Sequence, residues 1–343
     1  MPARRKVTLK DLEQRTGLSV ATISRALNNT GYVSAENRSL IAQAQRELGY
    51  VLPKRRLEPG VGSANTILVV IPDNKTSFWF EYLRGVQEVC KTYDCFVLLY
   101  FVAPDENEVD SITKAINSLN ARGVIVVTLN AGEELCTAMT QFLLPRVLCA
   151  AHRIDSNTTQ RNYDCISVDS QKGIFLAASH LADTGRRRIA YLGLNDSLTG
   201  TQRLQGFREA MAAHSLPVDE SLISQCPEPE CFENGRRSIL RFAKENRLPD
   251  AVCAVNDRTA LGVMRACREL GIDIPRGLAV VGMDNIDFAP SAAPALSSVD
   301  LAPFDQGRNS AQRLFHRMRD PGDLFRSTVL EPNLIVRESS APL

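Results

Sequence analysis

The sequence predicts a small all-α head followed by an α/β body of two lobes, each built on a doubly wound parallel sheet. Three observations lead there. Residues 1–50 place apolar side chains at helical spacing on either side of a glycine, residues 50–63 are rich in proline, glycine and basic residues, and from Asn65 onward β-branched runs alternate with amphipathic stretches. Short apolar runs separated by helical patterns indicate parallel strands covered on both faces. Such repetition over the rest of a 343-residue chain exceeds one comfortable sheet, hence two lobes.

In the head, Val7-Thr8-Leu9-Lys10-Asp11-Leu12 precedes Thr16-Gly17-Leu18-Ser19-Val20-Ala21-Thr22-Ile23-Ser24-Arg25-Ala26-Leu27-Asn28. Thr8 and Asp11 form a capping-box pair for the first helix, Gly17 permits the turn, and Ser19 caps the second helix. Val20, Ile23 and Leu27 fall at helical spacing to pack inward, which turns Ala21, Thr22, Ser24, Arg25 and Asn28 outward. Small hydrogen-bonding residues followed by an arginine are what a helix reading the DNA major groove presents. Ser34 starts a third helix through Ile41, Ala44 and Leu48 to a stop at Gly49. The stretch Tyr50–Ser63, with Pro53, Pro59, Gly60 and a Lys54-Arg55-Arg56 triplet, reads as a linker.

In the body, strands are expected at Thr66–Ile71, Cys95–Val102, Gly123–Leu129, Arg146–Ala151, Ile166–Asp169, Arg188–Leu194, Ala251–Val255 and Leu278–Met283. Helices between them are expected at Phe78–Thr92, Asn107–Asn120, Gln171–Asp183 and Arg258–Leu270. Ligands of open α/β sheets bind beyond the carboxyl ends of the strands. After the first strand stand Phe78, Trp79 and Phe80, which cannot all share one helix face. Trp79, the only tryptophan, suits the C–H face of a sugar or a flat ring, whereas Phe80 reads as a helix-start core residue.

Residues 1–60 hold eleven basic and five acidic side chains, a net of +6, which leaves −5 for the remainder of a chain whose total is +1. A basic head on a mildly acidic body fits a phosphate-facing module joined to one with another task. The nine cysteines form no Cys-x-x-Cys pair and the four histidines are dispersed, so neither a disulfide framework nor a zinc site is expected, and no cofactor. Without an apolar signal segment or a long apolar run, a cytoplasmic protein outside the membrane is the expectation.

The blocks Thr8-Leu9-Lys10-Asp11, Gly17-Leu18-Ser19-Val20-Ala21-Thr22-Ile23-Ser24-Arg25-Ala26-Leu27-Asn28, Gly31-Tyr32-Val33-Ser34 and Glu47-Leu48-Gly49-Tyr50 closely resemble the headpiece of LacI/GalR-family transcriptional regulators. Nearly the whole chain shares the resemblance, which implies a helix-turn-helix head at 1–50, a hinge at 51–64 and a body similar to periplasmic binding proteins. It assigns 65–165 with 297–325 to an N-terminal lobe and 166–296 with 326–343 to a C-terminal lobe, crossing near Ile166, Ser297 and Phe325. Thr328–Glu338 is expected to return to the C-terminal lobe.

By resemblance, DNA contacts come from Thr8, Ser19, Val20, Ala21, Thr22, Ser24, Arg25, Asn28, Tyr32 and Ser34, with Leu57 in the hinge. The family's hinge leucine wedges into the minor groove. An ungapped alignment from Tyr50 to Asn65 puts Pro59 in its place, with Leu57 two residues earlier. Either Leu57 wedges from a shifted helix or no wedge forms; an altered hinge is the reading favoured here.

The resemblance also implies an effector cleft. Arg203 heads an Arg-x-x-Gly-Phe segment, Asn256 and Asp257 open Asn-Asp-x-x-Ala-Leu-Gly, and Asp284 ends a strand. With Phe78 and Trp79, Phe232 and Arg153 complete the expected lining, together with His152, which stands where the family commonly has an aspartate. For Asp257, capping the next helix is the competing role. The implied function is a regulator, a repressor by preference, that binds a near-palindromic operator in double-stranded DNA as a homodimer and responds to a sugar, sugar acid or related metabolite. A sugar-metabolising enzyme and a solute-binding receptor on the same fold are the alternatives. No nucleotide loop, nucleophile elbow or metal cluster supports the enzyme. The absence of a heptad tail after Glu338 favours a dimer over a tetramer.

Overall fold

The computed structural model of the chain describes residues 7–27, 33–48, 65–73, 77–103, 105–119, 121–152, 154, 162–194, 196–225 and 231–342. The expected linker and the Gly49 stop lie outside them. The helices ahead of Asn65 belong to one compact unit and the sheets to another.

The head consists of α1 (Leu9–Thr16), α2 (Val20–Leu27) and α3 (Ala35–Leu48). Asp11 Oδ2 accepts from both the amide and the hydroxyl of Thr8, at 2.7 Å each, which closes the first turn of α1. Gly17 adopts φ 71° with nothing within 4 Å of where a Cβ would stand, so the left-handed dihedral, not space, calls for glycine. Ser19 Oγ accepts from Thr22 N at 3.2 Å and Ser34 Oγ from Asn37 N at 3.3 Å, starting α2 and α3. Leu12, Ile23, Leu27, Ile41 and Ala44 form the core, and Arg15 pairs with Glu47 at 2.6 Å from α1 to α3. Val20 is only half-buried and stands outside that core; its amide instead donates to Glu13 Oε1 at 3.1 Å.

The body opens with β1 (Thr66–Pro72), α4 (Phe78–Thr92), β2 (Phe96–Val102), α5 (Glu108–Ser118), β3 (Val124–Thr128), α6 (Glu133–Gln141), β4 (Arg146–Ala150) and β5 (Asp164–Val168). It continues with α7 (Ser170–Asp183), β6 (Ile189–Leu194), α8 (Leu198–Ala213), β7 (Ile223–Gln225), α9 (Cys231–Lys244), β8 (Ala251–Ala254), α10 (Asp257–Leu270) and β9 (Ala279–Met283). Then come β10 (Ser297–Asp300), α11 (Pro303–Arg319), β11 (Ser327–Leu330) and β12 (Asn333–Ile335). One sheet runs β11-β5-β4-β3-β1-β2 and the other β12-β10-β9-β8-β6-β7. Every pairing is parallel except β10 with β12. Central strands such as β1, β3 and β9 are largely apolar and buried along nearly their whole length because helices cover both their faces.

The crossings between sheets fall a few residues beyond the expected positions. Ile166 still pairs with Cys149 within the first sheet. Ser297 pairs with Val281 and therefore begins a strand of the second sheet, not a return to the first. The segment expected to lie wholly in the C-terminal lobe divides: Thr328 pairs with Ile166 in the first sheet, and only Asn333–Ile335 joins the second. Crossings are set by which distant strand offers a free edge, a property no local pattern encodes.

A buried ionic cluster pins one crossing. Asp164, with no exposure, accepts from Arg313 Nε at 2.6 Å, Arg317 Nε at 3.0 Å and the Arg326 amide at 2.9 Å. It ties β5 to α11 and to the entry of β11. Removing one partner of such a group typically costs about 3–5 kcal/mol.

Candidate DNA-reading helix and interlobe cavity

On α2, Ala21 and Arg25 are exposed and Thr22 and Ser24 half-buried, whereas Ile23 and Leu27 face the core. The Arg25 guanidinium reaches back to the Ala21 carbonyl at 3.3 Å, and Ser19 Oγ lies 3.0 Å from Thr22 Oγ1. Thr8 and Ser19 are exposed and Ser34 is half-buried. The head therefore offers short hydroxyls and one long cation on a single helix edge, a set suited to phosphate oxygens and base edges. Asn28, Tyr32 and Leu57 lie outside the described residues.

In the body, the ends of strands from both sheets converge on a cavity that opens to solvent. Phe78 and Trp79 line it from the start of α4, Arg203 from α8, Asn256 and Arg258 from the start of α10, and Asp284 from the end of β9. A mostly apolar wall with a few convergent polar groups is the usual build of a small-molecule site. Trp79 is held edge-on by Phe78, with ring centroids 5.1 Å apart, and by Tyr82 at 6.1 Å.

Arg203 is only 9% exposed. Its Nη1 donates to the Val255 carbonyl at 3.1 Å, and its Nε has no hydrogen-bond partner among the described residues. Asn256 is the N-cap of α10: its Oδ1 accepts from the Thr259 amide at 2.8 Å. Asp284 adopts φ 103° and Asn285 φ 50°, both in the region that disfavours side chains. This turn is over-determined by its neighbours, as strained backbone at binding sites tends to be. Asp284 N donates to Val299 O at 2.9 Å, Asn285 N to Ser298 Oγ at 3.0 Å, and Arg337 Nη2 to Asn285 Oδ1 at 2.7 Å.

Four expectations need correction. Asp257 neither lines the cavity nor caps α10; it is fully buried behind the wall, accepting from Ile286 N at 2.8 Å and Ser298 Oγ at 2.6 Å. Burial, then the Asp284 carboxylate, push its carboxyl up to about 8. Gly282 makes room for it, since a Cβ there would meet Asp257 Oδ1 at 2.1 Å. His152 also stands behind the wall, its Nδ1 3.1 Å from Thr199 Oγ1. Phe232 faces not the cavity but an adjoining apolar groove, with Phe80, Leu99, Phe101 and Phe288, that shares Trp79 and Arg258 with it. Phe80 is 72% exposed and not a core residue, because the first turn of α4 gives the inward positions to Trp79 and Tyr82. Arg153 lies outside the described residues.

Ser197, Thr199, Arg258 and Gln306 line the cavity without having been expected there. Ser197 carried a readable signal, an N-cap just after a strand; its Oγ accepts from Gly200 N at 2.9 Å. Gln306 carried none, since α11 reaches the cavity only through the second crossing. Among the described residues no cluster of three or more His, Cys, Asp or Glu side chains could hold a metal, and no helix is long and apolar enough to cross a membrane.

Residues 8–52 match the family described as bacterial regulatory proteins, lacI family, and residues 178–340 match the periplasmic binding protein-like domain. The head thus matches the lacI family and the body a periplasmic binding protein-like domain. It is similar along its length to the HTH-type transcriptional regulator DegA of Bacillus subtilis, 28% identical over 98% of this chain and 99% of that one. It is 26% identical to the ribose operon repressor of Haemophilus influenzae, over 97% of this chain and 98% of that one. The solved complex of the transcriptional regulator CelR with cellobiose matches at a TM-score of 0.71 and 26% identity, covering 97% of this chain and 100% of that one. As the resemblance implies, a helical head precedes a body of two mostly parallel sheets.

Proposed function

We propose that this chain is a transcriptional repressor that binds operator DNA through α2 and loosens or tightens its hold when a small sugar-like molecule occupies the interlobe cavity. The observation that carries this reading is the cavity itself. Aromatic faces at Phe78 and Trp79 meet a guanidinium, an amide and a carboxylate contributed by segments from both sheets. The relatives are named as repressors and regulators, and one was solved with cellobiose bound, which supports regulation over turnover. A ligand touching both lobes favours one lobe arrangement, and its influence on DNA is limited to its differential affinity, typically ~1–3 kcal/mol.

A homodimer in the cytoplasm completes the proposal. One head spans few base pairs, whereas a two-fold pair reads both halves of a near-palindrome. The edge strand β2 exposes Phe96 (64%) and Phe101 (52%), and Phe80 and Phe288 stand out nearby at 72% and 66%. An apolar face of this kind is what a second copy covers in an obligate dimer. The test is a titration of the purified chain against selected and random duplexes with a panel of sugars and sugar acids. Operator-selective binding that shifts with one metabolite supports the proposal; steady chemical conversion of that metabolite contradicts it.

A further inference from the structure

The cavity carries more positive than negative charge. Arg203 and Arg258 both line it, and Asp284 is the one carboxylate among the described residues that does. Arg203 is nine-tenths buried; its Nη1 reaches only a carbonyl, and among the described residues it forms no ion pair and its Nε has no hydrogen-bond partner. A guanidinium taken out of water without a counter-charge is costly, and the cost is recovered when an anion docks on it. The groups behind the wall do not supply that anion. Asp257 is held in its protonated form at neutral pH by burial and by Asp284. His152 is neutral there too, pushed down to about 4 by burial and by the Arg203 cation itself.

We propose that the effector is a small hydroxylated carboxylate, bound by its carboxylate on Arg203 in a cavity that Arg258 makes more positive, and by its hydroxyls on Asp284 and Asn256. This rests on the cavity being the effector site and narrows its chemistry. The planar fork of an arginine matches a carboxylate with two parallel hydrogen bonds, and Asp284 accepts from hydroxyl donors.

Trp79 is the only tryptophan in the chain and lines the cavity, so its fluorescence reports occupancy. The full-length protein is titrated with D-glucuronate, D-galacturonate and D-gluconate, each against D-glucose or D-galactose, with glucose 6-phosphate as the phosphate arm. Thermal unfolding is followed in parallel. At least one acid is expected to bind ten-fold or more tightly than its neutral counterpart and to raise Tm by several degrees. Arg203→Gln is expected to abolish that preference for the acid, and Arg203→Lys to retain part of it. Should Arg203→Gln not fold, Arg258→Gln is expected to lower acid affinity several-fold and leave the neutral sugar unaffected. A neutral sugar that binds more tightly than its acid overturns the carboxylate assignment while leaving the cavity as the effector site. Binding of the phosphate ester with all acids silent overturns it as well. Silence from every probe overturns this inference together with the effector reading of the cavity.

Discussion

His152 Nδ1 lies 3.1 Å from Thr199 Oγ1, a hydrogen bond that joins the end of β4 in one lobe to the first turn of α8 in the other. Thr199 spends its only hydroxyl proton on the Leu129 carbonyl, at 2.5 Å, so the imidazole must be the donor and Nδ1 carries its proton. Leu198 N adds a second tie across the same seam, to Asn130 Oδ1 at 3.3 Å. This arrangement of the lobes is thus latched by the chain's own atoms at the edge of the cavity, and a ligand touching both lobes adds to a latch already in place.

The latch makes stability depend on acidity. Burial, then Arg203, lower the His152 pKa to about 4, against about 6.5 for the free side chain. Above that ordinary value both folded and unfolded chains hold a neutral ring. Between the two values the unfolded chain takes a proton that the folded chain refuses, so stability falls by up to about 1.4 kcal/mol per pH unit and stops falling below about 4. His152→Gln keeps a donor but does not titrate. Denaturant unfolding at pH 7.5 and pH 5 should show a smaller acid loss in the variant; equal losses would remove His152 from the pH response.

Arg25 is the one long cation on the outer edge of α2. Arg25→Ala is expected to reduce discrimination between operator and random DNA by about 1–3 kcal/mol per half-site. Competition binding at fixed salt measures it. If affinity drops equally on both DNAs, Arg25 touches phosphate only.

The resemblance to lacI-family regulators and the bulk of the fold were legible in short-range pattern. Helix Phe78–Thr92 emerges with the bounds its spacing predicts, and the strand ends differ by a residue or two. The lobe crossings were not legible, because Ser297 and Thr328 join whichever sheet offers an unpaired edge, a decision made between residues far apart in sequence. At the site, the residues carried by motifs (Arg203, Asn256, Asp284) do meet in one cavity with Phe78 and Trp79. Asp257 was misread because its neighbour Asn256 takes the cap, which frees the aspartate to turn inward onto Ser298. Phe80 was misread because an apolar residue at a helix start faces outward as readily as inward.

Asp284 is expected to accept from effector hydroxyls in charge-assisted hydrogen bonds worth about 1.5–3 kcal/mol. Asp284→Asn should therefore weaken the effector about ten- to hundred-fold, read from the midpoint of Trp79 fluorescence titration. An unmoved midpoint would place the hydroxyls elsewhere.

Phe101 projects from the edge strand with 52% of its surface exposed. If β2 and the start of α4 form the homodimer face, Phe101→Lys places two like charges against an apolar surface and shifts sedimentation toward the monomer at micromolar concentration. An unchanged dimer, or a wild-type monomer, excludes this face.

The most direct measurement follows operator affinity across occupancy of the cavity. Duplexes are selected from a random pool by the full-length chain, and the winner is titrated by fluorescence anisotropy with and without the metabolite that quenches or enhances Trp79. The account predicts a two-fold symmetric site bound about a thousand-fold or more above random DNA, with an affinity that moves roughly 5–150-fold on ligand binding. A chain that prefers no sequence, or whose DNA affinity ignores a ligand demonstrably held in the cavity, contradicts it.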